Sequence, residues 1–272
     1  MKARALELAR AVDDPVQRLN VLREFARASV LRSLHESQAF QALSFVGGTA
    51  LRFLFDLQRF SEDLDFTVET PSAYAPGPWV ARLERDLAYA GFDATVTWND
   101  RKTVHVGWVR IAGVLQAAEL APLAEQKLSV KIEVDTRPQS GADTVSRAVH
   151  RHFLVAFRHH DLPSQMAGKV HALIARPYPK GRDWYDLLWY GARRPGVEPN
   201  LRLLQAALAQ TEGALACDAA SWRDAVRSRL GGLDAAALRA DVAPFLERPA
   251  DADLLTADHL RGALEVGGGQ GR

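Results

Sequence analysis

The sequence predicts an α+β fold, with a core on a mixed sheet, an N-terminal helix and a helical C-terminal region. Three observations carry that expectation. Apolar residues between positions 15 and 40 recur at intervals of three and four. Short β-rich runs follow between positions 43 and 134, and from Met166 onward the chain turns alanine-, leucine- and arginine-rich with helical periodicity.

The first helix rests on Val16, Leu19, Leu22, Phe25, Ala26, Val30 and Leu34, with Asp13 or Asp14 as N-cap and Pro15 at the first helical position. Leu43 to Val46 reads as a short strand ending at the Gly47-Gly48 pair. Helical spacing resumes from Ala50 to Leu57, and Asp63 to Val68 reads as the next strand. Pro71 to Pro78 is expected to be a loop. A helix is expected from Trp79 to Tyr89, stopped by Gly91, and strands at 92–98, 104–111 and 128–134. Between the last two, residues 112–126 combine alanines that favour helix with Gly113 and Pro122 that interrupt it. Helices are expected at 164–176, 183–192, 201–210, 219–230 and 234–247. The expected division is an N-terminal helical segment (1–40), a core (41–163), a helical C-terminal region (164–266) and a disordered glycine-rich tail (267–272).

Near-equal acidic and basic counts leave a formal charge of +1, so no global attraction for polyanions exists and any nucleic-acid binding must come from local clusters. The single cysteine, Cys217, excludes an intrachain disulfide and a cysteine-cluster metal site. The N-terminal segment is charged and amphipathic, and no apolar run reaches the length of a membrane span, so a cytoplasmic protein without membrane association is expected.

The chemistry concentrates in two motifs. Gly47-Gly48-Thr49 lies at a strand-to-helix junction, where backbone N–H groups and the helix dipole favour a phosphate. Asp63 and Asp65 stand two apart in a strand and so project from one face, where two like charges repel unless a cation lies between them. Mg²⁺ prefers one or two carboxylates together with substrate phosphates. Lys131-Ile132-Glu133-Val134-Asp135 repeats the alternation on a later strand and offers Glu133 or Asp135 as a third acid. Lys169, Arg176, Lys180, Arg182, Asp183 and Asp186 form a further charged group on the first C-terminal helices, with Asp183 and Asp186 on one helix face. Arg52, Arg59, Arg176, Lys180 and Arg182 are the cations expected to steer a polyanion. His150, His152, His159 and His160 are read as surface or loop histidines, because neighbours in sequence rarely converge on one ion.

These motifs, in this order and spacing across roughly residues 40 to 190, resemble the AbiEii/AbiGii nucleotidyltransferase toxin family. The resemblance rests on Gly47-Gly48-Thr49-Ala50-Leu51-Arg52, on Arg59-Phe60-Ser61-Glu62-Asp63-Leu64-Asp65-Phe66, and on Lys169 with Arg182-Asp183-Trp184-Tyr185-Asp186-Leu187. It implies a polymerase-β-like nucleotidyltransferase core. It also implies the toxin of a bacterial toxin–antitoxin or abortive-infection system, often paired with a winged-helix regulator antitoxin. By the family motif, Gly47, Gly48 and Thr49 hold the phosphates of an NTP, and Asp63 and Asp65 hold Mg²⁺, with Glu133 fitting the third acid better than Asp135. Lys169 corresponds to the family's later lysine, serving nucleotide binding and catalysis, and Asp183 or Asp186 to the acid that follows it. The acceptor implied is RNA, with tRNA 3′ ends the known kind. The rival expectations are transfer to a protein or small molecule, and a non-catalytic module that binds a regulator.

Overall fold

A seven-stranded sheet forms the framework of the first of two compact units, which comprises Met1–Pro138 and Val145–His159. The second comprises Gln139–Thr144 and His160–Arg272. The computed structural model describes residues 1–211 and 217–266, so the expected tail at 267–272 lies outside the described residues.

In the first unit, α1 (Lys2–Arg10) and α2 (Pro15–Glu36) precede β1 (Leu43–Val46), α3 (Gly47–Phe55) and β2 (Asp63–Val68). Then come α4 (Pro76–Tyr89), β3 (Asp93–Asn99), β4 (Val104–Ala112), the single turn α5 (Val114–Ala117), β5 (Leu128–Asp135), β6 (Thr144–His150) and β7 (Leu154–His160). The sheet order is β3-β4-β5-β2-β1-β7-β6. Strand β2 runs antiparallel to β1 and parallel to β5, and β1 runs parallel to β7, so the sheet is mixed. Alternation sends Leu64, Phe66, Val130, Ile132 and Val134 into the core, where they join Leu22, Phe25 and Leu31 of α2 and Leu83 and Leu87 of α4. Each fully buried aliphatic or aromatic side chain of this kind contributes about 1.5–3 kcal/mol. The same alternation leaves Asp63, Asp65, Lys131, Glu133 and Asp135 on the other face, all partly exposed.

Local chemistry explains where elements begin and end. Asp14 caps α2, its carboxylate accepting from the Gln17 N–H at 2.8 Å, and Pro15 occupies the first turn. The helix stops at Glu36 rather than near residue 40, because Gln38 adopts a left-handed conformation (φ +59°) that no helix continues through. Helix α4 starts at Pro76, inside the expected loop. A proline in the first turn lacks an N–H that would have no helical partner there anyway.

Strands β6 and β7 correct the reading of the histidines. His159 and His160 are buried on β7, and His159 packs edge-on against Phe55 with ring centroids 5.6 Å apart. Alternation along β7 also buries Val155 and Phe157, a pattern that the paired polar histidines obscured.

The second unit is helical: α6 (Leu162–Ala175), α7 (Gly181–Arg193), α8 (Leu201–Gln210), α9 (Trp222–Arg229), α10 (Ala235–Val242) and α11 (Ala257–Glu265). Helix α7 packs against α6, α10 and α11, with Trp184, Leu187, Trp189 and Tyr190 buried. Its first turn is closed by Asp241, whose carboxylate accepts the Gly181 N–H at 2.7 Å. A Cβ on Gly181 would lie 2.1 Å from the Leu238 carbonyl oxygen, so only glycine lets α10 approach this closely. The expected helix at 234–247 ends at Val242 and continues as a 3₁₀ turn, and α11 was not foreseen.

Candidate active site

Strand register assembles the acids of the first unit. Asp65 pairs with Val46 of β1 on one side and with Glu133 of β5 on the other, and Asp63 pairs with Lys131. Residues directly opposite one another in neighbouring strands share a face, with Cβ atoms about 4.5–5.5 Å apart. Asp63, Asp65, Lys131 and Glu133 therefore form a square of charges on β2 and β5. Asp135 sits opposite Thr67, one two-residue step beyond Asp65, so Glu133 is the strand acid beside the pair.

Lys131 is the member of this group that has no role in the sequence reading. Its ammonium lies 2.8 Å from Glu133 and is held protonated above the ordinary lysine range, first by that hydrogen bond and then by the charges of Glu133, Asp63 and Asp65. All three carboxylates thus act on a single cation. Alternation on β5 was the signal for Lys131, since it shares the parity of Glu133. Among the described residues no three metal-ligating side chains converge on one point. Three carboxylates nevertheless share one face, the oxygen-donor chemistry a hard divalent ion takes, and Lys131 balances their charge.

The glycine pair has a different structural logic from a bare phosphate cradle. Gly47 has φ +80°, and a Cβ there would lie 2.4 Å from Asp65 Oδ2, so the absence of a side chain allows the carboxylate to rest against the turn. A Cβ on Gly48 would lie 2.9 Å from Arg59 Nη2 and from Ser61 Oγ. Val46, the N-cap of α3, supplies no side-chain cap to the helix that starts at Gly47. The Thr49 side chain departs from the expectation. It is buried, and its hydroxyl donates to the Asp63 carbonyl oxygen, fastening the helix to the acid strand instead of facing a phosphate.

Behind the acids lies a buried charge network. The Arg27 guanidinium donates to the Glu62 carbonyl oxygen at 2.8 Å; burial pushes its pKa down to about 10, against the opposing pull of Glu24 and Asp63. Glu24 pairs with Arg52, with Arg151 at 3.1 Å and with His152 at 3.3 Å. Burial alone would raise the Glu24 pKa, but the His152 hydrogen bond and the charges of Arg52 and Arg151 hold it well below the usual carboxylate range. Arg52 is 3% exposed and stacks on Phe60, and Arg59 is 2% exposed. These two arginines are structural, and the expectation that they steer a polyanion is corrected by their burial.

The second unit has its own charged centre. Lys169 of α6 lies 2.8 Å from Asp186 and 3.7 Å from Asp183, and Arg176 lies 3.1 Å from Asp183. The 3.6-residue period sets both acids of α7 on the face toward α6. Asp186 is 0% exposed, so the Lys169 ammonium is held from the buried side by its carboxylate. Lys169 keeps 15% of its side chain exposed. Arg176 is partly exposed, as are Lys180 and Arg182; Lys180 lies over Tyr178 and Arg182 over Phe245.

Two solved structures share this fold. JHP933 from Helicobacter pylori aligns with a TM-score of 0.53 at 18% identity, covering 90% of this chain and 92% of its own. A second H. pylori protein, described as a "putative nucleotidyltransferase", aligns with a TM-score of 0.50 at 20% identity, covering 89% of this chain and 96% of its own. No curated protein matches the sequence. No helix among the described residues is long and apolar enough to cross a membrane. The family model for the nucleotidyl transferase AbiEii toxin of type IV toxin–antitoxin systems matches residues 29–261, taking in the glycine turn, the acid strands and the Lys169 centre. The chain belongs to the AbiEii family and is a nucleotidyltransferase.

Proposed function

We propose that the protein transfers a nucleoside monophosphate from an NTP to a hydroxyl of RNA, at the 3′ end of a tRNA, as the toxin of a toxin–antitoxin pair. The observation that carries this reading is the register of Asp65 beside Glu133 with Asp63 on the same face. Asp63 and Asp65, with Glu133 adjacent, would hold Mg²⁺, which when bound neutralises charge on the phosphates. In the transfer, the acceptor hydroxyl oxygen bonds to the α-phosphorus, the bond from that phosphorus to the β-phosphate oxygen breaks, and pyrophosphate leaves. Glu133 is one residue from the acid pair across the strand gap and takes the proton of the attacking hydroxyl once Lys131 releases it. The main-chain N–H groups of Gly48 and Thr49, at the start of α3, suit the outer phosphates. By the family motif Lys169 would be the lysine that serves the nucleotide, with Asp186 orienting its ammonium and Asp183 sharing it.

Family membership supports an antitoxin partner, for which we propose a winged-helix regulator, and a cytoplasmic site of action. Labelled NTPs offered separately with tRNA, protein and small hydroxylated acceptors test the acceptor class. Label is expected on tRNA, lost on chelation, restored by Mg²⁺, and lost in Asp63→Asn and Asp65→Asn. Full transfer by either variant would refute the metal reading, and label on protein alone would refute the RNA reading.

A further inference from the structure

The sheet face that carries the acids continues past them onto β4 and β3. Register lines up Asp63, Lys131, Trp108 and Thr97 in one row across four strands, and Asp65, Glu133, Val106 and Asn99 in the next. With strands about 4.8 Å apart, Trp108 stands two strands, or roughly 10 Å, from Asp63. Its side chain is only partly buried, whereas Trp79, Trp184, Trp189 and Trp222 are all core residues. Two cations flank the indole, Arg110 at 5.6 Å and Lys131 at 5.9 Å from the ring centroid, near the outer limit of cation–π contact. Arg110 is itself steadied by the Thr97 hydroxyl at 3.2 Å. An indole with a guanidinium and an ammonium beside it is matched to a base and its phosphate.

The sides of the acid pair differ. The glycine turn leaves β1, which borders β2 on one edge, while β5 borders it on the other with β4 beyond. In-line displacement requires the leaving pyrophosphate and the attacking hydroxyl on opposite sides of the α-phosphorus. With the outer phosphates at the glycine turn, the hydroxyl must arrive over β5, and the nucleotide bearing it must extend toward β4. From this we infer that Trp108 is the stacking seat for the terminal base of a single-stranded acceptor, with Arg110 receiving its phosphate. The inference rests on the transfer reading above for the direction of approach, and adds the strand's path and the residues that grip it.

The test uses the full chain and a short 5′-fluorescein single-stranded RNA with a free 3′ hydroxyl, followed by anisotropy in the absence of NTP. Trp108→Ala is expected to weaken RNA binding by about 5- to 150-fold, the range for loss of one base–aromatic stack, and Trp108→Phe to keep most of the affinity. Arg110→Gln is expected to lower the slope of log affinity against log salt by about one. The KM for NTP is expected to stay unchanged in all three. Absence of RNA binding by the wild-type protein, unchanged affinity in Trp108→Ala, or an effect on NTP in place of RNA would overturn the inference. Should Trp108→Ala fail to fold, an unchanged salt slope in Arg110→Gln overturns it equally. RNA binding that depends on Trp108 without any transfer to RNA would sink the transfer reading and leave the seat standing. Transfer to RNA that is indifferent to Trp108 would do the reverse.

Discussion

Replacing Gly47 with alanine separates two costs that the structure makes distinct. The first is backbone strain, because φ +80° is a conformation that disfavours any Cβ by roughly 1–2 kcal/mol. The second is a collision with Asp65 Oδ2 at 2.4 Å, which must open to at least 3.0 Å and so push the carboxylate from its place. Gly113 is the matched control: it has φ +69°, and nothing lies within 4 Å of a Cβ built there. Both variants are expected to lose about 1–2 kcal/mol, a fall of roughly 2–8 °C in the thermal midpoint followed by circular dichroism. Only Gly47→Ala is expected to lose transfer, by about 100-fold, the usual cost of misplacing a catalytic group by about an ångström. The assay is incorporation of labelled nucleotide with saturating NTP. Equal activity in the two variants, with equal loss of stability, would refute the argument that Gly47 exists to admit Asp65.

Three further expectations follow from individual contacts. Thr49→Val removes one hydrogen bond to the Asp63 carbonyl, so it should cost about 1 kcal/mol in chemical denaturation while the KM for NTP rises little; a large rise in KM would mean that the hydroxyl binds phosphate after all. Glu24 is depressed below its ordinary value of 4.5, so its contribution is complete above that pH and drains away as pH falls from there toward its lowered folded-state pKa. The stability of the wild-type protein should therefore decline below about pH 4.5 more steeply than that of Glu24→Gln, which should also be less stable near neutrality by about 3–5 kcal/mol for want of a counter-charge to Arg52 and Arg151. Asp186→Ala should destabilise the helical unit by a similar ~3–5 kcal/mol and raise the KM for NTP, whereas Lys169→Gln should raise that KM with a smaller loss of stability; the reverse order would remove Asp186 from its orienting role.

The sequence made the acid strands readable because their chemistry and their period coincide. Leu43–Val46 and Asp63–Val68 carry apolar residues toward the core and, on β2, acids toward the other face, and both strands have the bounds expected of them. What stayed hidden depends on pairing rather than on pattern. The choice between Glu133 and Asp135 turns on the register of β5 against β2, which no single strand encodes. Burial of Arg52 depends on Glu24, which also pairs with Arg151, residues far apart in the chain. Thr49 looked like a phosphate ligand because its neighbours are glycines, yet those glycines make room for Asp65, Arg59 and Ser61. Strands β6 and β7 escaped notice because β6 is an exposed edge and β7 buries two histidines where aliphatic residues were the expected sign.

The parallel pairing of β2 with β5 has a consequence for the order in which the enzyme comes into being. Parallel neighbours cannot be joined by a tight turn, and here α4 and the β3–β4 hairpin must be made before Glu133 can reach Asp65. Closure of so long a loop precedes any contact that rewards it, which places this step late in folding. A nascent chain ending before β5 holds the aspartate pair without its neighbour, and the Lys169 centre is synthesised later still. A chain broken off during synthesis before β5 therefore carries Asp63 and Asp65 without the third carboxylate and the ammonium that β5 sets beside them.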